Sequence, residues 1–249
     1  MRTMRDNARA FDDAASPSDA VLAIGAVEQH GAHLPVGTDC FIAEQVAARL
    51  AEKLDAYLLP PLSITSSIEH RLTRGTVYLK APTLAAVVRD IAESLRFSGF
   101  RRLVLVNGHG GNWILKPTIR QLNRDFPDFR AVLLHTDIGL SRAAGVLEHL
   151  QGDVHAGEFE TSVMLHIRPE LVGAIEPARE ATFPPQHFMD YFDTSALTST
   201  GYWGYPEKAT AEKGRKMLDL TLECALEHLE AIERHAALGS EQRLRRNQP

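Results

Sequence analysis

Leu103-Val104-Leu105-Val106-Asn107-Gly108-His109-Gly110-Gly111-Asn112 runs from an unbroken apolar segment straight into a glycine-rich turn. A short apolar run ended by glycine reads as a strand buried on both faces. Such strands belong to parallel sheets covered by helices. Residues 113–124 then carry a helical pattern, which makes the stretch a strand–turn–helix unit. The same alternation recurs on both sides. Residues 21–26 read as a strand, followed by a helix with Thr38 as N-cap and Ile42, Val46, Leu50 and Leu54 on one face. Tyr57-Leu58-Leu59 predicts a strand stopped by Pro60-Pro61, and Pro82 and Thr83 open a helix that Gly99 closes. A strand is predicted over 131–134, a helix over 158–167 ended by Pro169, and a C-terminal helix over 210–237. This order predicts an α/β fold, a single-domain three-layer sandwich with a largely parallel sheet. No repeat or linker divides the sequence, so 1–249 is read as one domain. Residues 176–206, rich in Pro, Ser, Thr and aromatics, read as a long functional loop or lid.

Composition narrows the function classes. Apolar residues make up 44% and charged residues 24% of the 249, as in globular domains rather than disordered chains. The net charge is −5, with no long basic run ahead of Arg243, Arg245 and Arg246, so no nucleic-acid partner is expected. No apolar run reaches membrane-span length and no apolar segment follows Met1-Arg2-Thr3-Met4-Arg5, which predicts a cytoplasmic protein with no membrane partner. Two cysteines, Cys40 and Cys224, do not make a disulfide framework.

Three clusters carry the chemistry. Glu28-Gln29-His30-Gly31-Ala32-His33-Leu34-Pro35-Val36-Gly37-Thr38-Asp39 follows the first predicted strand. Groups this costly to bury are paired with one another or with a metal ion. Carboxylates with imidazoles and no thiolate are the ligands of a divalent cation. Glu28 and His30 lie two apart and share one side of an extended chain. Asp39, which helix-dipole complementarity alone would also explain, starts the next helix at the same sheet edge. The second cluster is the Gly-rich turn with His109. It lacks both the G-x-G-x-x-G and Walker patterns, so a nucleotide reading is weak and convergence with His30 is preferred. The third is Gly152-Asp153-Val154-His155-Ala156-Gly157-Glu158-Phe159-Glu160-Thr161-Ser162, where one of Glu158 and Glu160 can face the crevice and His155 is a candidate proton donor or acceptor. His70 is a candidate pocket residue. A nucleophile elbow of the Gly-x-Ser-x-Gly type is absent, and Cys40 reads as packed.

Taken together and in this order, the three motifs resemble the creatininase family of metal-dependent amidohydrolases, over about 21–171. The resemblance implies a creatininase-like α/β domain with two divalent metal ions (zinc, manganese or iron), often in a homo-oligomer, a hexamer. It implies Glu28, His30, Asp39 and His109 as ligands, Asp39 bridging, and His155 assisting proton transfer. One position departs from the pattern: creatininase has an acidic ligand two residues after the His of Asn-Gly-His, and here Gly111 stands there. Glu158 is expected to supply the missing carboxylate, with Glu160 as the fallback. His33 and Glu160 are otherwise expected behind the ligands. The expected reaction is hydrolysis of a C–N amide bond, cyclic amide or formamide, in a small molecule. The alternatives are C–C or ring-opening hydrolysis of a cyclic ketone or sugar, and a peptidase in cofactor maturation. Selectivity is expected in 66–76 and in the aromatic loop with Phe188, Tyr191, Phe192, Tyr202 and Trp203, with His70 and Trp203 on the substrate.

Overall fold

Why the strands show no polar alternation is clear from their surroundings: each face of the sheet meets its own layer of helices. The structure, a computed structural model, describes residues 1–12, 17–176 and 182–246. Strands β1 (Arg2–Thr3), β2 (Asp19–Ile24), β3 (Tyr57–Leu58), β4 (Arg102–Asn107) and β5 (Arg130–His135) form a parallel sheet in the order β1-β3-β2-β4-β5. The helices are α1 (Thr38–Leu54), α2 (Ala81–Phe97), α3 (Leu115–Asp125), α4 (Glu158–Ile167) and α5 (Ala211–Arg246).

Alternate strand residues sort into two cores, as a side-chain period of two requires. Val21, Ala23, Val104, Val106, Val132 and Leu134 pack with Ile42, Val46 and Leu50 of α1, Val163 and Met164 of α4, and Met217 and Leu218 of α5. Ala20, Leu22, Ile24, Leu103, Leu105 and Ala131 pack with Leu84 and Val88 of α2 and Leu115, Ile119 and Leu122 of α3. Three layers result. The central pair is in register from Asp19↔Arg102 to Ile24↔Asn107, so the carboxyl ends of β2 and β4 finish side by side. Ligands of open parallel sheets bind at that edge, and both histidine-bearing turns leave from it.

Four local expectations shift. The edge strand β1 has only two residues, too few for a periodic signal. Gly37 takes the N-cap position of α1, while the Thr38 hydroxyl donates to Pro35 O at 2.8 Å instead of capping. Helix α5 continues past Gly239 to Arg246, since one glycine costs about 1 kcal/mol in a helix without stopping it. Of 176–206, positions 177–181 lie outside the described residues, and the rest includes short 3-10 turns at Gln186–Asp190 and Thr194–Ala196. Among the described residues, no helix is long and apolar enough to cross a membrane.

Candidate metal centre

The first wall of the site comes from the turns after β2 and β4. A Cβ at Gly108 would lie 2.6 Å from the Asp39 carbonyl oxygen, so only a bare backbone lets this turn pass against the first turn of α1. That passage brings His109 to Asp39. His109 Nδ1 lies 3.3 Å from Asp39 Oδ2, and its Nε2 lies 3.1 Å from Glu28 Oε2. The other Asp39 oxygen meets His30 Nε2 at 2.9 Å. His30 Nδ1 donates to Glu28 O at 3.1 Å, which turns Nε2 towards the centre. Asp39 therefore stands between two histidines with one oxygen for each. Asn107 stiffens the second turn by donating from Nδ2 to His109 O at 2.8 Å.

The second wall is the N-terminus of α4. Half-buried Asp153 accepts from the amides of Glu158 (2.7 Å), Phe159 (2.9 Å) and Tyr205 (3.1 Å), capping the helix and tying it to the following loop. Ala156 adopts a left-handed conformation (φ 50°), costing about 1 kcal/mol, and its amide donates to Glu160 Oε2. The same Glu160 oxygen stands 4.0 Å from His30 Nε2. His155 Nε2 donates to Gln29 O at 2.8 Å, leaving Nδ1 to face Glu28 Oε1 at 3.6 Å. Gln29 also donates to His70 Nδ1 at 2.9 Å, so His70 Nε2 faces the same Glu28 oxygen at 3.5 Å.

Both Glu28 carboxylate oxygens, Asp39 Oδ2 and His109 Nε2 are buried without a hydrogen-bond partner among the described residues. Leaving such groups unpaired costs about 1–3 kcal/mol each, and more for charged groups. Orphaned acceptors that converge on one space are what a cation needs. Three triads have ligand atoms within 4.8 Å of one another: Glu28–Asp39–His109, His30–His155–Glu160 and Glu28–His70–His155. The donor set fits divalent zinc, manganese or iron.

Electrostatics agree with a built polar site. Burial opposes a charge on His30, but Asp39, backed by Glu160 and Glu28, outweighs it and raises the pKa to about 10. His109 is likewise raised against burial by Glu28, Asp39 and Glu69. Burial acts against the Asp39 carboxylate too, yet His30 and His109 hold its pKa below the usual range. Burial, reinforced by Asp39, pushes Glu160 up to about 8. His155 goes the other way: burial, then His30 and His70, hold it well below the ordinary histidine value and hence neutral.

Two expected roles are corrected by the geometry. Glu158 points away from the centre: its carboxylate pairs with Lys213 Nζ at 2.6 Å and accepts from the amides of Glu148 and His149 at 3.0 and 2.9 Å. Positions two apart on a helix lie about 200° apart, so α4 turns one glutamate to the crevice, and it is Glu160. Trp203 is 1% exposed and lies under the site, not in it; its backbone pairs with that of His155 (Trp203 N to His155 O, 2.7 Å). His33 is in none of the three triads; its Nε2 lies 3.0 Å from Thr161 Oγ1, and burial lowers its pKa to about 4. Cys40 is packed, its thiol donating to Ala26 O at 3.1 Å, and burial pushes its pKa up to about 11.

A cavity of about 860 Å³ opens onto His70, His109 and His155, with Trp113, Tyr191 and Phe192 on its wall. Sequence reasoning assigns no role to Gln29, Asp153 or Glu69, which the structure brings against His155, the start of α4 and His109 respectively. Gln29 and Asp153 lie inside the quoted motifs, and their polar side chains next to His30 and His155 were the available signal.

Carboxylates and imidazoles converging at the carboxyl edge of a parallel sheet, open to a cavity, are the makings of a metal-dependent hydrolase site. More narrowly, the chain belongs to the creatininase family, whose model (creatinine amidohydrolase) matches residues 5–229. It is 32% identical over 210 residues to the mycofactocin precursor peptide peptidase of Mycobacterium ulcerans (strain Agy99), covering 79% of this chain and 78% of that protein. It is 30% identical over 223 residues to the creatinine amidohydrolase of Pseudomonas putida, covering 82% and 85%. A solved manganese creatininase matches with a TM-score of 0.78 at 28% identity, covering 92% of this chain and 97% of that one.

Proposed function

We propose that this protein hydrolyses an amide-type C–N bond with two divalent ions, one held by Glu28, Asp39 and His109 and the other by His30, Asp39 and Glu160. The observation that carries this reading is Asp39, set 2.9 Å from His30 and 3.3 Å from His109, beside the orphaned oxygens of Glu28. Divalent ions there would bring water towards ionisation at neutral pH and polarise the scissile carbonyl. His155 is the proton carrier. Its Nε2 is committed to Gln29 O, so the lone pair on Nδ1 is aimed at the centre. Being neutral, it accepts a proton from the attacking water and returns it to the leaving nitrogen. Gln29 orients both His155 and His70, and His70 borders the cavity at the same Glu28 oxygen.

The cavity supports a substrate larger than creatinine. Its roughly 860 Å³ lies in the range that encloses drug-sized ligands, and its wall carries Ile68, Trp113, Met189, Tyr191 and Phe192. A compact ring would leave most of that wall unused, whereas an extended amide with an apolar end would cover it. Gly111, where creatininase carries an acidic ligand, points the same way. Trp113, 63% exposed, takes the aromatic role expected of Trp203. Assembly as a homo-oligomer, which the family resemblance implies, would be tested by light scattering after size exclusion.

The experiment is elemental analysis of the purified protein together with activity on a panel running from creatinine through formamides to short apolar peptides. His30→Ala and Asp39→Ala are expected to lose metal and activity together, by about 10³-fold or more in kcat/KM, or roughly 4 kcal/mol. An active, metal-free variant overturns the proposal.

A further inference from the structure

At position 111 the side-chain space is already taken. A Cβ built on Gly111 would lie 1.8 Å from Glu69 Oε1 and 2.3 Å from His109 Nε2. Glu69 comes from the turn Ile68–His70, a different loop from either metal-bearing turn. Its carboxylate stands 3.4 Å from His109 Nε2, the same nitrogen that lies 3.1 Å from Glu28 Oε2 and has no hydrogen-bond partner. No surface ion pair explains this placement. Among the described residues the cationic groups facing Glu69 are His109 and His70, while neighbouring Arg71 pairs with Asp193 at 3.0 Å.

We infer that Glu69 is a further carboxylate of the metal centre, a positioning residue that fixes His109 and adds negative charge around its cation, admitted by the bare backbone at Gly111. This rests on the two-ion reading. Glu69 meets His109 at the nitrogen that also faces Glu28, so its carboxylate limits how the ring can turn and adds an anionic oxygen on that side of the centre. Adding a carboxylate beside Glu28 and Asp39 costs like-charge repulsion, which a shared cation offsets. Position supports the same role. The Glu69 side chain is 13% exposed against 0% for Glu28 and 2% for Asp39, and it lines the cavity by which substrate arrives.

The test is competition of the full-length protein with a chromogenic chelator for Zn²⁺, comparing the unaltered chain with Glu69→Gln, Glu69→Ala and Gly111→Ala. Glu69→Gln keeps the volume and removes the charge, so it separates an electrostatic role from space filling. Each variant is expected to weaken one of two bound ions by about 10–100-fold. The metal-free Glu69→Gln protein should melt no higher than the unaltered metal-free one, because the carboxylate that faces His109 at 3.4 Å has gone. If Glu69→Gln binds both ions with unaltered affinity, the inference is overturned and the two-ion centre stands. An unaltered chain that binds no Zn²⁺ overturns both.

Discussion

The two walls of the site are built on different backbones, and this decides which acids serve it. Glu28 and His30 sit on an irregular turn after β2, where the chain bends each functional group towards Asp39. Glu158 and Glu160 sit on α4, where residues two apart face nearly opposite sides. On the first wall the acids end as orphaned acceptors around one space. On the second, one glutamate reaches His30 and the other is spent on Lys213 and two backbone amides. An irregular turn lets near neighbours converge, whereas a helix sends residues two apart to nearly opposite sides.

The comparison breaks most visibly at His155. Its replacement by Gln should lower kcat by about 10³-fold with both ions retained, as expected of a proton carrier. Loss of metal in that variant would make His155 a ligand and the α4 wall a second gathering point.

A pair of variants then sharpens the helix argument. Glu160→Gln should weaken one ion by ten-fold or more at little cost to the fold. Glu158→Ala should leave both ions in place and destabilise the protein by about 3 kcal/mol, because Lys213 and the Glu148 and His149 amides lose a buried partner. Chemical denaturation and metal analysis of the two would exchange these outcomes if the helix were turned the other way.

The smallest effect is in pH. Without ions, folded Glu160 keeps its proton until about 8, against 4.5 for an ordinary glutamate, so its stabilising share is full below 4.5 and lost as pH rises through 8. His30, raised from 6.5 to about 10, acts in the same direction: its share is full below 6.5 and gone above 10. Cation binding needs both groups deprotonated and therefore strengthens with pH. Melting of chelator-treated protein should fall by several degrees from pH 6.5 to 9.5, while the gain from adding metal grows. A metal-free midpoint that climbs over this range contradicts the assigned shifts.

Much of the fold could be read from the chain because its strands are continuous apolar runs bounded by Gly and Pro. The two residues of β1 carry no such pattern; pairing with β3 makes them a strand. The residue types proposed as ligands on the first wall are equally open to reading, since Glu28, His30 and Asp39 are near neighbours in sequence. Trp203 misled because aromatic residues in a loop suggest a pocket, whereas its backbone pairing with His155 draws it under the site.

What sequence determined by itself is local: periodicity, turn glycines, and which residue types lie within a dozen positions of each other. Tertiary structure decided what depends on rotation and on distant approach. Asp153 sets the start of α4 and so sends Glu160, not Glu158, to His30. Glu69 meets His109 across forty positions of chain because Gly111 leaves that volume empty. Such choices turn on a few ångströms between separate elements, and no one-dimensional pattern carries that distance.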